Sequence, residues 1–242
     1  LLTGAGTNRL ASGNHTLAGP LTVSSPVEFA ENVNFIGDTN LIQFQNHVRF
    51  SGGTLGGRYA FGDDSESFLW SGGVFGGTMT WPATLAVELS GGDKFLSSGN
   101  NGNPASLTNQ TTVRQSGGVL YVNYGGRVEN LGLWRVEDTG DAFWNHSGNQ
   151  GQFHNRGEFT KADAANTVSV QNILFTNWGR LVVPRGEIYF GAAAQDLGPG
   201  TLAVNLSGPT PMTDFGRARF ANQVRLNAPL EIVFTNGFAP SE

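Results

Sequence analysis

The sequence predicts an all-β fold, a right-handed parallel β-helix (β-solenoid) of about 22 residues per coil. Three observations carry that reading. Phe153–Phe159 (FHNRGEF) and Phe175–Leu181 (FTNWGRL) share the frame Phe-x-Asn-x-Gly-x-apolar. The frame recurs at Val128–Trp134 (VENLGLW) and, with Thr111 in place of Gly, at Leu107–Val113 (LTNQTTV), which puts its asparagines at 109, 130, 155 and 177. Helix signals are nearly missing, while alternating runs bounded by Gly, Asn, Pro or Ser succeed one another along the chain.

Taken in order, residues 1–67 read as irregular N-terminal coils, with PVEFAENVNF and LIQFQNHVRF as strand candidates. Residues 68–190 read as regular coils. Here SGGVFGG (Ser71–Gly77) repeats SGGTLGG (Ser51–Gly57), and a related SGGVLYV begins at Ser116. Residues 191–242 read as closing strands of the same single domain. Only Lys161–Asn166 (KADAAN) suits a helix, for one turn at most. Length and period together predict eight to ten coils. A repeat of about 22 residues holds two or three short strands, each stacked about 4.8 Å above its counterpart. A propeller blade needs about 40 residues, and the frame recurs too often for that.

Alignment of the frames orients the rows. Even offsets from the Asn share a strand face. Leu107, Val128, Phe153 and Phe175 therefore point inward with Val113, Trp134, Phe159 and Leu181. Asn109, Asn130, Asn155 and Asn177 point inward too, and a buried amide without partners costs about 1–3 kcal/mol. Stacked in register they satisfy one another as a ladder. Gly132, Gly157 and Gly179 then permit either a bend with positive φ or a close approach between coils. The outward offset holds Thr112, Leu133, Glu158 and Arg180, which makes Glu158 and Arg180 neighbours on adjacent coils.

Composition narrows the class. Of 242 residues 35 are Gly and 14% are charged, a low charge content for a soluble domain. Lys94 and Lys161 are the only lysines. The net charge of -5 with scattered arginines argues against nucleic-acid binding. No apolar run is long enough for a transmembrane helix. The absence of Cys excludes disulfides and thiolate metal sites. A start at Leu1-Leu2 is expected of a processed or excised segment.

From about Phe68 onward, FLWSGGVFGGTMTW, LTNQTTVRQSGGVLYV, VENLGLW, FHNRGEF and FTNWGRLVVPRGEIYF resemble the Asn/Gly-rich β-helix repeats of large bacterial secreted and surface proteins, of the autotransporter-passenger-like kind. The segment from Gly200 to Glu242 resembles the close of such arrays. The resemblance implies an extracellular or cell-surface location. Such proteins include adhesins and matrix components, and a regular ladder without a convergent polar cluster favours a structural role over catalysis.

Several residue groups carry functional chemistry, each with a plainer role beside it. Asp63, Asp64 and Glu66 in GDDSES offer oxygens to a cation but match no calcium-loop spacing, so a solvated turn is expected. Asp138 and Asp141 with Arg135 form an acidic group of the kind polysaccharide-cleaving β-helices use, without a second cluster one coil away. His146 and His154 lack the spacing of a zinc site. Among Trp134, Trp144, Trp178, Tyr121 and Tyr124, the outward Trp178 and Trp144 are the candidates for stacking on sugar rings, and Trp134 belongs to the core. The Asn-x-Ser/Thr sites at Asn14, Asn109, Asn145 and Asn205 are read as chance, with Asn109 buried in the ladder.

No catalytic residue, metal or cofactor is assigned. The first functional expectation is a rigid surface shaft, adhesin stalk or filament subunit. Its partners would be a second copy docking end to end or flanking domains of a longer chain. The alternative is a module that binds or cleaves a polysaccharide.

Overall fold

The computed structural model describes residues 4–17, 19–62, 64–98, 103–137, 140–191 and 194–239. It is a parallel β-solenoid of about 8 turns with roughly 21 residues per turn. Each turn visits three faces. Face one stacks Thr78–Trp81, Ser106–Asn109, Arg127–Asn130, Gly151–Asn155 and Ile173–Asn177. Face two stacks Ser67–Trp70, Ala86–Leu89, Thr112–Gln115, Leu133–Val136, Glu158–Lys161 and Arg180–Val183. Face three stacks Gly73–Phe75, Lys94–Leu96, Leu120–Val122, Gly140–Trp144, Thr167–Gln171 and Gly186–Phe190. The first coils are less regular. The long strand Val27–Phe44 turns from one face to the next, and its register with Thr54–Phe61 shifts between Ile36 and Leu41.

The expected inward rows form the core. Leu107, Val128, Phe153, Phe175, Val113, Trp134, Phe159 and Leu181 are each at most 1% exposed. Aromatic rings stack along the axis, with Phe153 5.3 Å from Phe175 and Phe190 5.1 Å from Phe220, both pairs nearly parallel. Such contacts add to the area burial that drives collapse.

Within this apolar interior Asn109, Asn130, Asn155 and Asn177 are fully buried. Each Nδ2 donates to the Oδ1 of the next, all three at 2.7 Å. The second Nδ2 hydrogen of Asn130 goes to Glu158 O at 2.9 Å, and that of Asn155 to Arg180 O at 3.0 Å. At one end Asn109 Oδ1 accepts from Thr111 N, because the coil beneath presents Trp81 in that register. At the other end Asn177 Nδ2 donates to Gly179 O and Thr201 O.

The Gly two residues beyond each Asn is required by close approach. Gly132, Gly157 and Gly179 have no positive φ. A Cβ there would lie 2.1 Å from Thr111 O, 2.0 Å from Gly132 O and 2.0 Å from Gly157 O, respectively. The one helical turn that Lys161–Asn166 could at most have formed is absent. Residues 162–166 bend, and their carbonyls bind the Lys161 side chain instead.

Asn155→Leu keeps much of the side-chain shape but strands Asn130 Nδ2 and Asn177 Oδ1. It is expected to cost about 2–6 kcal/mol, two buried groups at about 1–3 each. Chemical denaturation followed by circular dichroism measures this, and an unchanged midpoint would contradict the ladder's energetic role. Gly157→Ala, forced against Gly132 O, should lower the thermal midpoint at least as far.

Candidate functional site

A concavity among the described residues lies on face two. Its outward column runs Glu28, Arg49, Leu69, Glu88, Arg114, each in register with the next. Long charged side chains stand on either side of Leu69. Ser67 and Ala86 beside it are also short. The result is a depression over three coils. A cavity of about 620 Å³ is lined by Leu69, Thr84, Ala86, Glu88, Thr112 and Arg114, among others. A second of about 370 Å³ is lined by Pro26, Glu28, His47 and Arg49. Ser67 and Leu69 line both, so the two form one groove.

The groove's charges are held at its rim. Arg49 lies 3.7 Å from Glu28, and Glu88 accepts from Ser116 Oγ at 3.1 Å. Arg114 is paired with Glu137, which holds its guanidinium above the ordinary arginine value through the hydrogen bond and the opposite charge. His47 bonds Ser67 Oγ through Nδ1 and Glu66 through Nε2.

The residues singled out from sequence are scattered. Trp178 follows the Asn177 corner between faces one and two. Its ring carries the Arg156 guanidinium at 4.0 Å and stacks on His154 at 5.7 Å. On the next coil Gly198 closes in, since a Cβ there would meet the indole at 2.8 Å. Burial, then the Arg127 charge, lowers the His154 pKa; Glu129 opposes and Arg156 adds to the drop, which favours neutral imidazole in the stack.

Trp144 lies on face three, stacked on Tyr121 at 5.8 Å, and Tyr121 stacks on Phe95 at 4.7 Å. His146 meets Tyr121 edge-on at 4.8 Å. Burial, then the Asp93 and Asp141 carboxylates, pushes the Tyr121 phenol up. Trp178 and Trp144 thus lie apart, each stacked on neighbours and each more than a third exposed.

Asp141 is on face three and Arg135 on face two, where Arg135 pairs with Glu137 at 3.2 Å. Asp138 and Asp63 lie outside the described residues. Asp64 is exposed and Glu66 holds His47. His146 lies in the corner after face three, and His154 sits on face one. Among the described residues no group of three or more His, Asp or Glu gathers that could hold a metal.

Sequence reasoning missed the polar groups of the corners. Both lysines are buried. Lys161 Nζ donates to Ala162 O, Ala164 O and Arg185 O at 2.6–2.9 Å. Lys94 Nζ donates to Gly92 O and Gly117 O. Burial pulls the Lys161 ammonium down to about 8, with Asp163 opposing and Arg185 adding to the drop. A second asparagine corner leaves face three. There Asn145 Nδ2 donates to Val122 O and Asn149 O, with Ser147 O a longer shared contact at 3.3 Å, and Asn172 Nδ2 donates to Asn145 O. The motifs YVNYGG, FWNHSG and VQNILF carry its sequence signal, an Asn after an alternating strand.

Glu187 is 2% exposed between Arg217 and Arg219. Burial pushes its carboxyl up, but the hydrogen bonds and charges of the two arginines outweigh this and hold it below 4.5. Comparison with known proteins adds no family: no family model, no curated protein and no solved structure matches the chain.

Two expectations follow from these groups. Amine-reactive ester at pH 8 should leave Lys94 and Lys161 unlabelled in the folded chain and label both in denaturant, read by peptide mass spectrometry. Equal labelling in the two states would contradict their burial. The depressed Glu187 pKa contributes stability in full above the unfolded value near 4.5, and the contribution is lost as pH falls through the folded value. Glu187→Gln should therefore lower the thermal midpoint at pH 7 and flatten its decline below pH 4.5. A parallel decline in both proteins would refute the linkage.

Proposed function

We propose that this β-solenoid is a non-enzymatic structural module, a rigid shaft in an extracellular or cell-surface protein of the Asn/Gly-rich, passenger-like kind. The observation that supports the reading is the unbroken axial stacking of Asn109, Asn130, Asn155 and Asn177 beside continuous apolar rows. Such stacking makes stiffness a property of the repeat rather than of any loop.

The same rows support a mode of assembly by end-to-end docking. Leu181 and Leu202 continue to Leu230, and Val183 and Val204 continue to Ile232. Leu230, Ile232 and Phe234 are exposed on that last coil. A further β-coil, from flanking chain or from a second copy docking end to end, would cover them and pair the open strand edge.

Electron microscopy and sedimentation across a dilution series test this. End-to-end particles with an axial repeat in multiples of about 4.8 Å are expected, dispersed by Ile232→Asp. Monodisperse particles at every concentration would rule out docking between copies and leave flanking chain as the cover. A flexible, protease-labile chain would overturn the shaft reading itself.

A further inference from the structure

We propose that the groove around Leu69 on face two is a binding site for a neutral oligosaccharide. This does not depend on the shaft reading. The groove is a gap in a charge ladder, with Leu69 where the pattern of Glu28, Arg49, Glu88 and Arg114 leaves the charged column. Its two lobes, about 620 and 370 Å³, each fall in the range of roughly 300–1,000 Å³ typical of ligand pockets.

The chemistry of the lining selects the occupant. Leu69 and Ala86 give an apolar floor, and Ser67, Thr84 and Thr112 add hydroxyls. A pyranose ring has the complementary form, an apolar C–H face edged by hydroxyls. Arginine forks donate in pairs and carboxylates accept in pairs, which suits adjacent ring hydroxyls. Glu28 and Glu88 balance Arg49 and Arg114, so the rim favours neither a polyanion nor a polycation.

The backbone excludes a peptide strand. The floor strands Val48–Phe50, Ser67–Trp70 and Ala86–Leu89 are each paired to neighbouring coils on both sides, so no free edge remains for strand addition. Recognition must come from side chains. The groove also runs across coils, at the strand spacing of about 4.8 Å, close to the advance of one ring in an extended sugar chain.

Isothermal titration of the full chain with cellohexaose, maltohexaose, xylohexaose and mannohexaose, against hexagalacturonate as the anionic probe, tests the proposal. At least one neutral probe should bind, with little dependence on salt. Leu69→Arg fills the gap and should weaken binding at least tenfold at an unchanged thermal midpoint. Ala86→Arg, at an exposed position, should do the same and serves if Leu69→Arg folds poorly. Trp178→Ala should bind as the parent does. The proposal is overturned if no neutral probe binds, if the galacturonate binds better, or if the groove-filling variants bind normally.

Discussion

The hydrogen bonds that Asn109, Asn130 and Asn155 each donate to the asparagine of the next coil fix the register on which the remaining geometry depends. A slip of one residue would turn the amides outward and bring their apolar neighbours to the surface. The three ladder steps span 21, 25 and 22 residues, yet every bond is 2.7 Å. Length variation is therefore pushed out of the corner and into the loops. The adjoining glycines enforce the same spacing sterically, since the carbonyl of the coil below occupies the place of a side chain. Attraction through the amides and exclusion at the glycines act at one corner and set one distance.

Other buried polar groups obey the same demand with different chemistry. A closed coil has turns whose carbonyls must find donors, and buried side chains supply them. At one corner Asn145 and Asn172 provide donors. At the corner between faces two and three a lysine ammonium does so, meeting Gly92 O and Gly117 O at Lys94 and three carbonyls at Lys161. Three carbonyls suit an ammonium, which has three hydrogens, and would exceed a neutral amine. Trp134 Nε1 is met by Gln115 Oε1 at 3.0 Å. Burial without a partner would cost more than any of these groups contributes.

Much of this architecture was legible because it is periodic. Equal offsets from each Asn gave the inward rows, and the same arithmetic put Glu158 beside Arg180, whose charges lie 3.2 Å apart. What was not legible is aperiodic. Lys161 lies six residues beyond Asn155, an inward offset, but which carbonyls it would bind depends on how residues 162–166 bend. The face-two groove depends on side-chain length compared across coils that precede the first frame. There Trp81 stands in the ladder's register and the asparagine that would align the columns is missing. Trp178 read correctly as outward, yet its sandwich by Arg156 and Gly198 depends on neighbours one coil away on each side.

The division between inside and outside is what allows a groove to open on face two. Inward positions are held by close packing, where a change of one methylene is felt. Outward charges are exposed pairs, each worth about 0–1 kcal/mol, so their column is free to break. At Leu69 it does break, with no loss to the core beneath, where Phe68 and Trp70 remain buried. The gap is lined from successive coils whose separation is set by backbone pairing and not by the groove itself. A ligand that lies along the axis thus meets groups already held at fixed intervals, so little ordering of the protein opposes its binding. The rigidity that suits a shaft is the same rigidity that would let a shallow, side-chain-lined groove discriminate among sugars.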